Sequence, residues 1–300
     1  MWVVLAFVSA LCLGFYDISK KIALRDNAVV DVLTASVLIS SGLLAVPLLC
    51  SRLAPEITAD TFFVPHLDLR GHVLTFIKSC IVLSSWVFAY IALKHLPISV
   101  VSPWQATRPM WTLIGAMLIF GERLNGWQWI GVLLAIGSIL VFSIGQHNHS
   151  SFHPFTRSSD NRYYIALALA ILIGAASGLF DKYMMRQFHH NAVQVYYTFY
   201  QALMMLVVWT IHHRKNHSQI SWTPWIALIS IFLVISDNVY MLALQDPDSM
   251  IAVVSTIRRG GTVIGFAYGL IFLKEQDPWK KIMAMLGILA GLVCLAIGSI

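Results

Sequence analysis

Ten apolar stretches, each of about twenty residues, follow one another along this chain with short polar breaks between them. A stretch of that length, coiled as a helix, satisfies its own backbone hydrogen bonds and spans the hydrocarbon core of a bilayer. The spacing predicts spans near residues 2–22, 30–50, 72–93, 98–119, 127–145, 163–186, 193–212, 222–244, 249–273 and 280–299. All are too long for the strands of an ordinary sheet. Charged residues make up 11% of the 300 residues and hydrophobic ones 58%, whereas a soluble domain carries about 25% charge. So little charge cannot cover a soluble surface. The fold class expected is therefore all-α and integral to a membrane, with ten transmembrane helices and no sizeable soluble domain. Met1-Trp2-Val3-Val4 lacks a basic n-region, which reads as a retained first span rather than a cleaved signal.

The chain also nearly repeats itself. Gly14-Phe15-Tyr16-Asp17 returns as Gly178-Leu179-Phe180-Asp181, and Asn27-Ala28-Val29 returns at the same offset as Asn191-Ala192-Val193. Further on, Ala92-Leu93 matches Ala243-Leu244, Arg108 matches Arg259, and Glu122 matches Glu275. The expected organisation is a five-helix repeat over 1–145, a linker over 146–162 rich in Ser, His and Asn, and a second five-helix repeat over 163–300. An odd number of spans reverses the second copy, so the repeats are inverted about an axis in the membrane plane.

The net charge of +6 is spread over short connections and forms no Lys/Arg stripe. Charge placed this way sets topology and meets lipid headgroups; nucleic acid is not an expected partner. The connections after odd-numbered spans carry roughly twice the Lys and Arg of the others, which places both termini outside the cytoplasm. Cys12, Cys50, Cys80 and Cys294 sit in or beside apolar runs without ligand spacing and read as packing residues. His147, His149, His153, His212, His213 and His217 have no Cys or carboxylate to complete a metal set. No metal or cofactor is expected. The absence of His-Glu-x-x-His, Gly-x-Ser-x-Gly and Walker patterns argues against an enzyme and against ATP-driven transport.

Four basic residues lie inside the apolar runs: Lys78, Arg108, Arg258 and Arg259. Arginine facing lipid costs at least a few kcal/mol, so these side chains should face protein or a wet cavity. Arg108 and Arg259 occupy equivalent places in the two copies. They read either as substrate-contacting cations or as structural groups tied to backbone carbonyls or a carboxylate. Pro103 and Pro109 bracket the first, and Gly260-Gly261 follows the second, so both copies weaken the helix beside the arginine. Transporters place binding sites at such breaks.

Asp17 and Asp181 are the acids repeated inside spans. Asp17 has Lys20 and Lys21 one turn away and fits an ion pair. Asp181 lacks a base at that spacing and fits a coupling proton, because desolvation favours a neutral carboxyl. Asp237 is a further candidate partner for Arg258 or Arg259. Trp86, Tyr90, Trp104 and Tyr240 supply aromatic surface with polar edges, suited either to an organic solute or to helix packing.

With these residues in view, the chain resembles the EamA-type branch of the drug/metabolite transporter superfamily. The marker is Leu118-Ile119-Phe120-Gly121-Glu122-Arg123-Leu124, followed by Gly126-Trp127-Gln128-Trp129-Ile130-Gly131 and Gly137. It is similar to the family's Gly-Glu turn and glycine-bearing fifth span. The second copy has Leu273-Lys274-Glu275, with Lys for Gly, then Gly287 and Gly291. Ala89-Tyr90-Ile91-Ala92-Leu93-Lys94-His95 is similar to the family's third-span ending. The resemblance implies ten helices in inverted five-helix repeats around a central cavity. It also implies cytoplasmic termini, against the charge count, so orientation stays open. The second span lacks the family's frequent arginine, and Arg258-Arg259 is unusual there.

The function expected is secondary active transport of a small organic solute by alternating access, in a bacterial inner membrane, with a possible coupling proton. Two central arginines favour an anionic or zwitterionic solute, such as an amino acid. A non-transporting membrane scaffold or sensor is the alternative, marked by a dry, close-packed centre. A lipid enzyme would show a clustered nucleophile and base, which the sequence lacks. Membrane lipid is an expected partner, and the oligomeric state is not fixed by the sequence.

Overall fold

The computed structural model describes residues 1–25, 27–54, 56, 62–95, 104, 107–145, 161–213, 221–271 and 278–299. Among these residues there is helix and no β-strand. The helices are α1 (Trp2–Ala23), α2 (Val29–Leu53), α3 (Leu69–His95), α4 (Arg108–Phe120) and α5 (Gly126–Gly145). The second copy supplies α6 (Asn161–Met185), α7 (His190–His213), α8 (Pro224–Gln245), α9 (Ile251–Arg259), α10 (Thr262–Ile271) and α11 (Pro278–Gly298). Six of them, α1, α2, α3, α6, α7 and α8, are long and apolar enough to cross a membrane. Most of the expected linker, with Pro103, Lys274, Glu275 and the linker histidines, lies outside the described residues.

The chain divides into two compact units, Met1–Cys80 with Lys182–Pro247, and Ile81–Asp181 with Asp248–Ile300. Each unit draws helices from both sequence copies, and the boundaries fall inside α3 and α6.

In the first unit α1 packs along α8, and α2 packs on α7 and α8. Serine permits the close approach of α1 and α8. Ser9 Oγ donates to the carbonyl of Ser236 at 2.8 Å, and Ser236 Oγ donates back to the carbonyl of Ser9 at 2.9 Å. In lipid, where hydrocarbon gives helices no hydrophobic reason to associate, such small polar contacts hold helices together. The start of α2 meets the start of α8 through Val32, Ala35, Ile226 and Ile229. Lys78 is buried, with its ammonium 4.4 Å from the centroid of the Tyr197 ring.

In the second unit α5 packs along α11. The contact rests on glycine. A Cβ on Gly131 would lie 2.7 Å from the carbonyl oxygen of Gly291, and one on Gly291 would lie 2.7 Å from that of Gly131. Ala135 and Ser138 on α5 face Gly291 and Gly287 on α11. These are the glycines of the sequence marker, and their physical role is to let two backbones touch.

Candidate functional site

The site begins with the pair α4 and α9, which pack against each other in the second unit. Gly121, in the left-handed conformation at φ 66°, ends α4. The next residue, Glu122, turns back onto the start of α9. Its Oε1 accepts the N–H of Ile251 at 2.7 Å and its Oε2 accepts that of Ala252 at 3.1 Å. The first N–H groups of a helix have no partner within it, and the dipole there favours a negative charge. The Gly-Glu turn of the sequence is therefore a clamp tying the end of α4 to the beginning of α9. The two helices consequently run antiparallel. Their far ends, which carry Arg108 on α4 and Arg258-Arg259 on α9, come to the same end of the pair.

Arg108 opens α4, with Pro109 behind it in the first turn, where a missing N–H costs nothing. Its guanidinium donates from Nη2 to the carbonyl of Gly174 on α6 at 2.5 Å. Gly174 is the seat for that group, since a Cβ there would lie 2.5 Å from Arg108 Cζ. One donor of the fork is thus engaged by backbone, and the side chain is half-buried.

Arg258 and Arg259 close α9, where cations suit the negative end of the helix dipole. The helix breaks directly after them. Gly261 N–H bonds Arg258 O at 3.3 Å, Val263 N–H bonds Gly260 O at 3.0 Å, and Ile264 N–H bonds Gly261 O at 3.1 Å. These are three-residue steps, tighter than an α-helix, and α10 resumes at Thr262. The break expected from Gly260-Gly261 is present. Gly260 is also fixed by packing, because a Cβ would meet Leu292 Cδ1 at 2.7 Å.

The remaining candidates divide between the units. In the second unit Trp86 is half-buried on α3, Trp104 is 43% exposed in the turn before α4, and Asp181 on α6 is 8% exposed. The side chain of Tyr90 lies outside the described residues. Asp17, Asp237 and Tyr240 belong to the first unit. Asp17 is exposed on α1, Asp237 is half-buried on α8, and Tyr240 is 5% exposed within α8.

Around Asp17 the structure gathers more than the lysine spacing had suggested. Lys20 hydrogen-bonds the Tyr16 hydroxyl, with its ammonium 5.6 Å from the ring centroid, and Asp17 acts on it electrostatically. Asp237, from the facing helix, lies within electrostatic reach of Tyr16. Lys182, next to Asp181 in sequence, donates instead to the carbonyls of Leu244 and Asp246, each at 3.3 Å. Tyr16, Gly174 and the clamp formed by Glu122 were not singled out as site residues from the sequence. The partners of Gly174 and Glu122 lie on other helices, and only the small-residue run Gly174-Ala175-Ala176-Ser177-Gly178 is a local sign of a close approach.

Long apolar helices, two sequence copies and a broken helix beside half-buried cations define an integral, multi-pass membrane protein of the transporter class. The model of the EamA-like transporter family matches residues 1–144 and 161–297, and the chain belongs to that family, within the drug/metabolite transporter superfamily. A solved crystal structure of a protein 14% identical in sequence superposes with a TM-score of 0.71, over 99% of this chain and 96% of its own, a likeness of fold. No curated protein matches the chain.

Proposed function

We propose that the protein is a secondary active transporter that moves a small anionic or zwitterionic organic solute, an amino acid being the favoured class, by alternating access. One observation supports this most: α4 and α9 bring Arg108 and Arg259 to the same end of an antiparallel pair, beside the break at Gly260-Gly261. A carboxylate on the solute would be received by the forked guanidinium of Arg108 and by Arg259. Arg258, Trp86, Tyr90 and Trp104, all of the same unit, complete the proposed set, the aromatic groups giving apolar surface with polar edges.

Five spans in each copy, ten in all, would make residues 1–145 and 163–300 inverted repeats joined by 146–162, the arrangement that exposes one site to each side in turn. The coupling ion would be a proton. Asp181 is its proposed carrier, being the more buried of the repeated acids, while Asp17 and Asp237 serve as ion-pair partners. The membrane would be a bacterial inner membrane.

Metabolite profiling of cells with and without the protein, followed by uptake of the changed solutes into vesicles, tests the proposal. A solute with a carboxylate should accumulate on one side only when the protein is present. No change in any charged metabolite would refute it.

A further inference from the structure

The first unit holds a crevice that the transport proposal does not use. α2 and α8 meet where Ser230 Oγ donates to the carbonyl of Ser36 at 2.8 Å. Further along α2 a cavity of about 830 Å³ opens among α2, α7 and α8, with Phe62 and Val64 at its edge. Its walls are hydrocarbon, including Leu44, Pro47, Val195 and Val234. Among the described residues the lining holds no charged side chain. Apart from the Cys50 thiol, its polar groups are the carboxamides of Asn191, Gln194 and Asn238.

Those carboxamides are joined. Asn238 Nδ2 donates to Asn191 Oδ1 at 2.9 Å and to Gln194 Oε1 at 2.8 Å. Gln194 Nε2 donates to the carbonyl of Val234 at 2.7 Å, and Asn191 Nδ2 to that of Phe63 at 3.0 Å. Both donors of Asn238 are thereby used. Its Oδ1 accepts no hydrogen bond among the described residues.

The rim shows what lies outside. Leu43, Val46 and Ile235 are 42, 60 and 43% exposed, on helices long and apolar enough to cross a bilayer. The neighbouring phase is therefore lipid chain. Left empty, the apolar walls of the crevice would forfeit dispersion contacts. Hydrocarbon walls also give water too few partners. A charged occupant has no counter-charge among the described lining residues, and a plain alkane leaves the Asn238 acceptor unpaired.

We propose that this crevice binds an uncharged single-chain amphiphile drawn from the bilayer, its acyl chain against Leu44, Pro47, Val195 and Val234 and its hydroxyl or amide N–H donating to Asn238 Oδ1. The inference stands whether or not the protein moves the solute proposed above.

The test uses the full chain in phosphatidylcholine vesicles and two photoreactive probes. One is a monoacylglycerol with a diazirine in its chain, and the other is the same chain ending in a methyl group. Labelled peptides are mapped by mass spectrometry. The monoacylglycerol should label residues 43–54 and 234–239 saturably, and should bind roughly tenfold tighter than the alkyl probe, the worth of one hydrogen bond. Asn238→Leu should bring the two probes to the same affinity. Val234→Trp, which fills the crevice and leaves the carboxamides intact, should abolish saturable labelling by both. Should Asn238→Leu not fold, the two-probe comparison on the wild-type chain and Val234→Trp decide the matter. Unsaturable labelling equal to that at the lipid-exposed Leu133 and Val141 would overturn the proposal. So would equal affinity of the two probes in the wild-type chain, or competition by a free amino acid and not by unlabelled monoacylglycerol.

Discussion

Replacing Glu122 by Ala should loosen the second unit from the end opposite the arginines. The carboxylate accepts the N–H groups of Ile251 and Ala252, both on fully buried residues of α9. A hydrogen bond to a charged group is worth about 1.5–3 kcal/mol, and the helix dipole adds about 0.3–1 kcal/mol. Glu122 itself is only half-buried, so water screens part of this. A net loss of about 2–4 kcal/mol is expected for Glu122→Ala. Glu122→Gln keeps one strong acceptor and loses the charge, and should cost about half as much. Thermal unfolding of purified protein in detergent reads the difference, the alanine variant melting several degrees below wild type and the glutamine variant between them. Because the clamp also fixes the antiparallel setting of α4 and α9, transport should fall in the same order. An alanine variant as stable as wild type would show that Glu122 does not hold the two helices together.

Other substitutions probe different parts of the structure. Gly174→Ala should displace the Arg108 guanidinium and reduce transport while the protein still folds; unchanged flux would mean that the seat does not position Arg108 for function. Gly291→Leu should drive α5 and α11 apart and lower yield and melting temperature sharply, whereas Gly137→Ala, at a position open to space, should be silent in the same expression and melting assays. Asp181→Asn should remove the response of uptake to an imposed pH gradient, and Asp17→Asn should leave it; a full response in Asp181→Asn would assign the proton elsewhere. His189, in the connection before α7, has its pKa lowered from the ordinary value of 6.5 by burial, which favours its neutral form in the folded protein. The stability this contributes is present above that value and lost as pH falls below it, and His189→Gln should flatten the dependence of melting temperature on pH there.

The sequence made some of this legible because the signals were local. Long apolar runs become helices in a bilayer for reasons internal to each run, and α1, α2, α6, α7 and α8 begin and end within a few residues of the expected positions. The break after Arg259 was written in Gly260-Gly261. Contacts between distant segments were not legible in the same way. Nothing near Ser9 points to Ser236, and nothing near Arg108 points to Gly174. The glycines of α5 and α11 stood out as a family marker, yet only the packed backbones show that Gly131 faces Gly291. Asn191 was visible as a repeated residue, but its partners Asn238 and Phe63 are fixed by how α7, α8 and the segment before α3 pack. The two compact units, each mixing helices of both copies, likewise follow from packing and not from sequence order.

Solute uptake by the purified protein in sealed vesicles, measured with the wild type, Arg108→Ala, Arg259→Ala and the matching lysine variants, bears most directly on the central claim. Uptake of a carboxylate-bearing solute by the wild type should be lost in both alanine variants, with little recovery in the lysine variants, since a point charge does not replace a forked donor. Melting temperatures near that of the wild type would attribute the loss to solute binding. Wild-type uptake in both alanine variants would contradict the account.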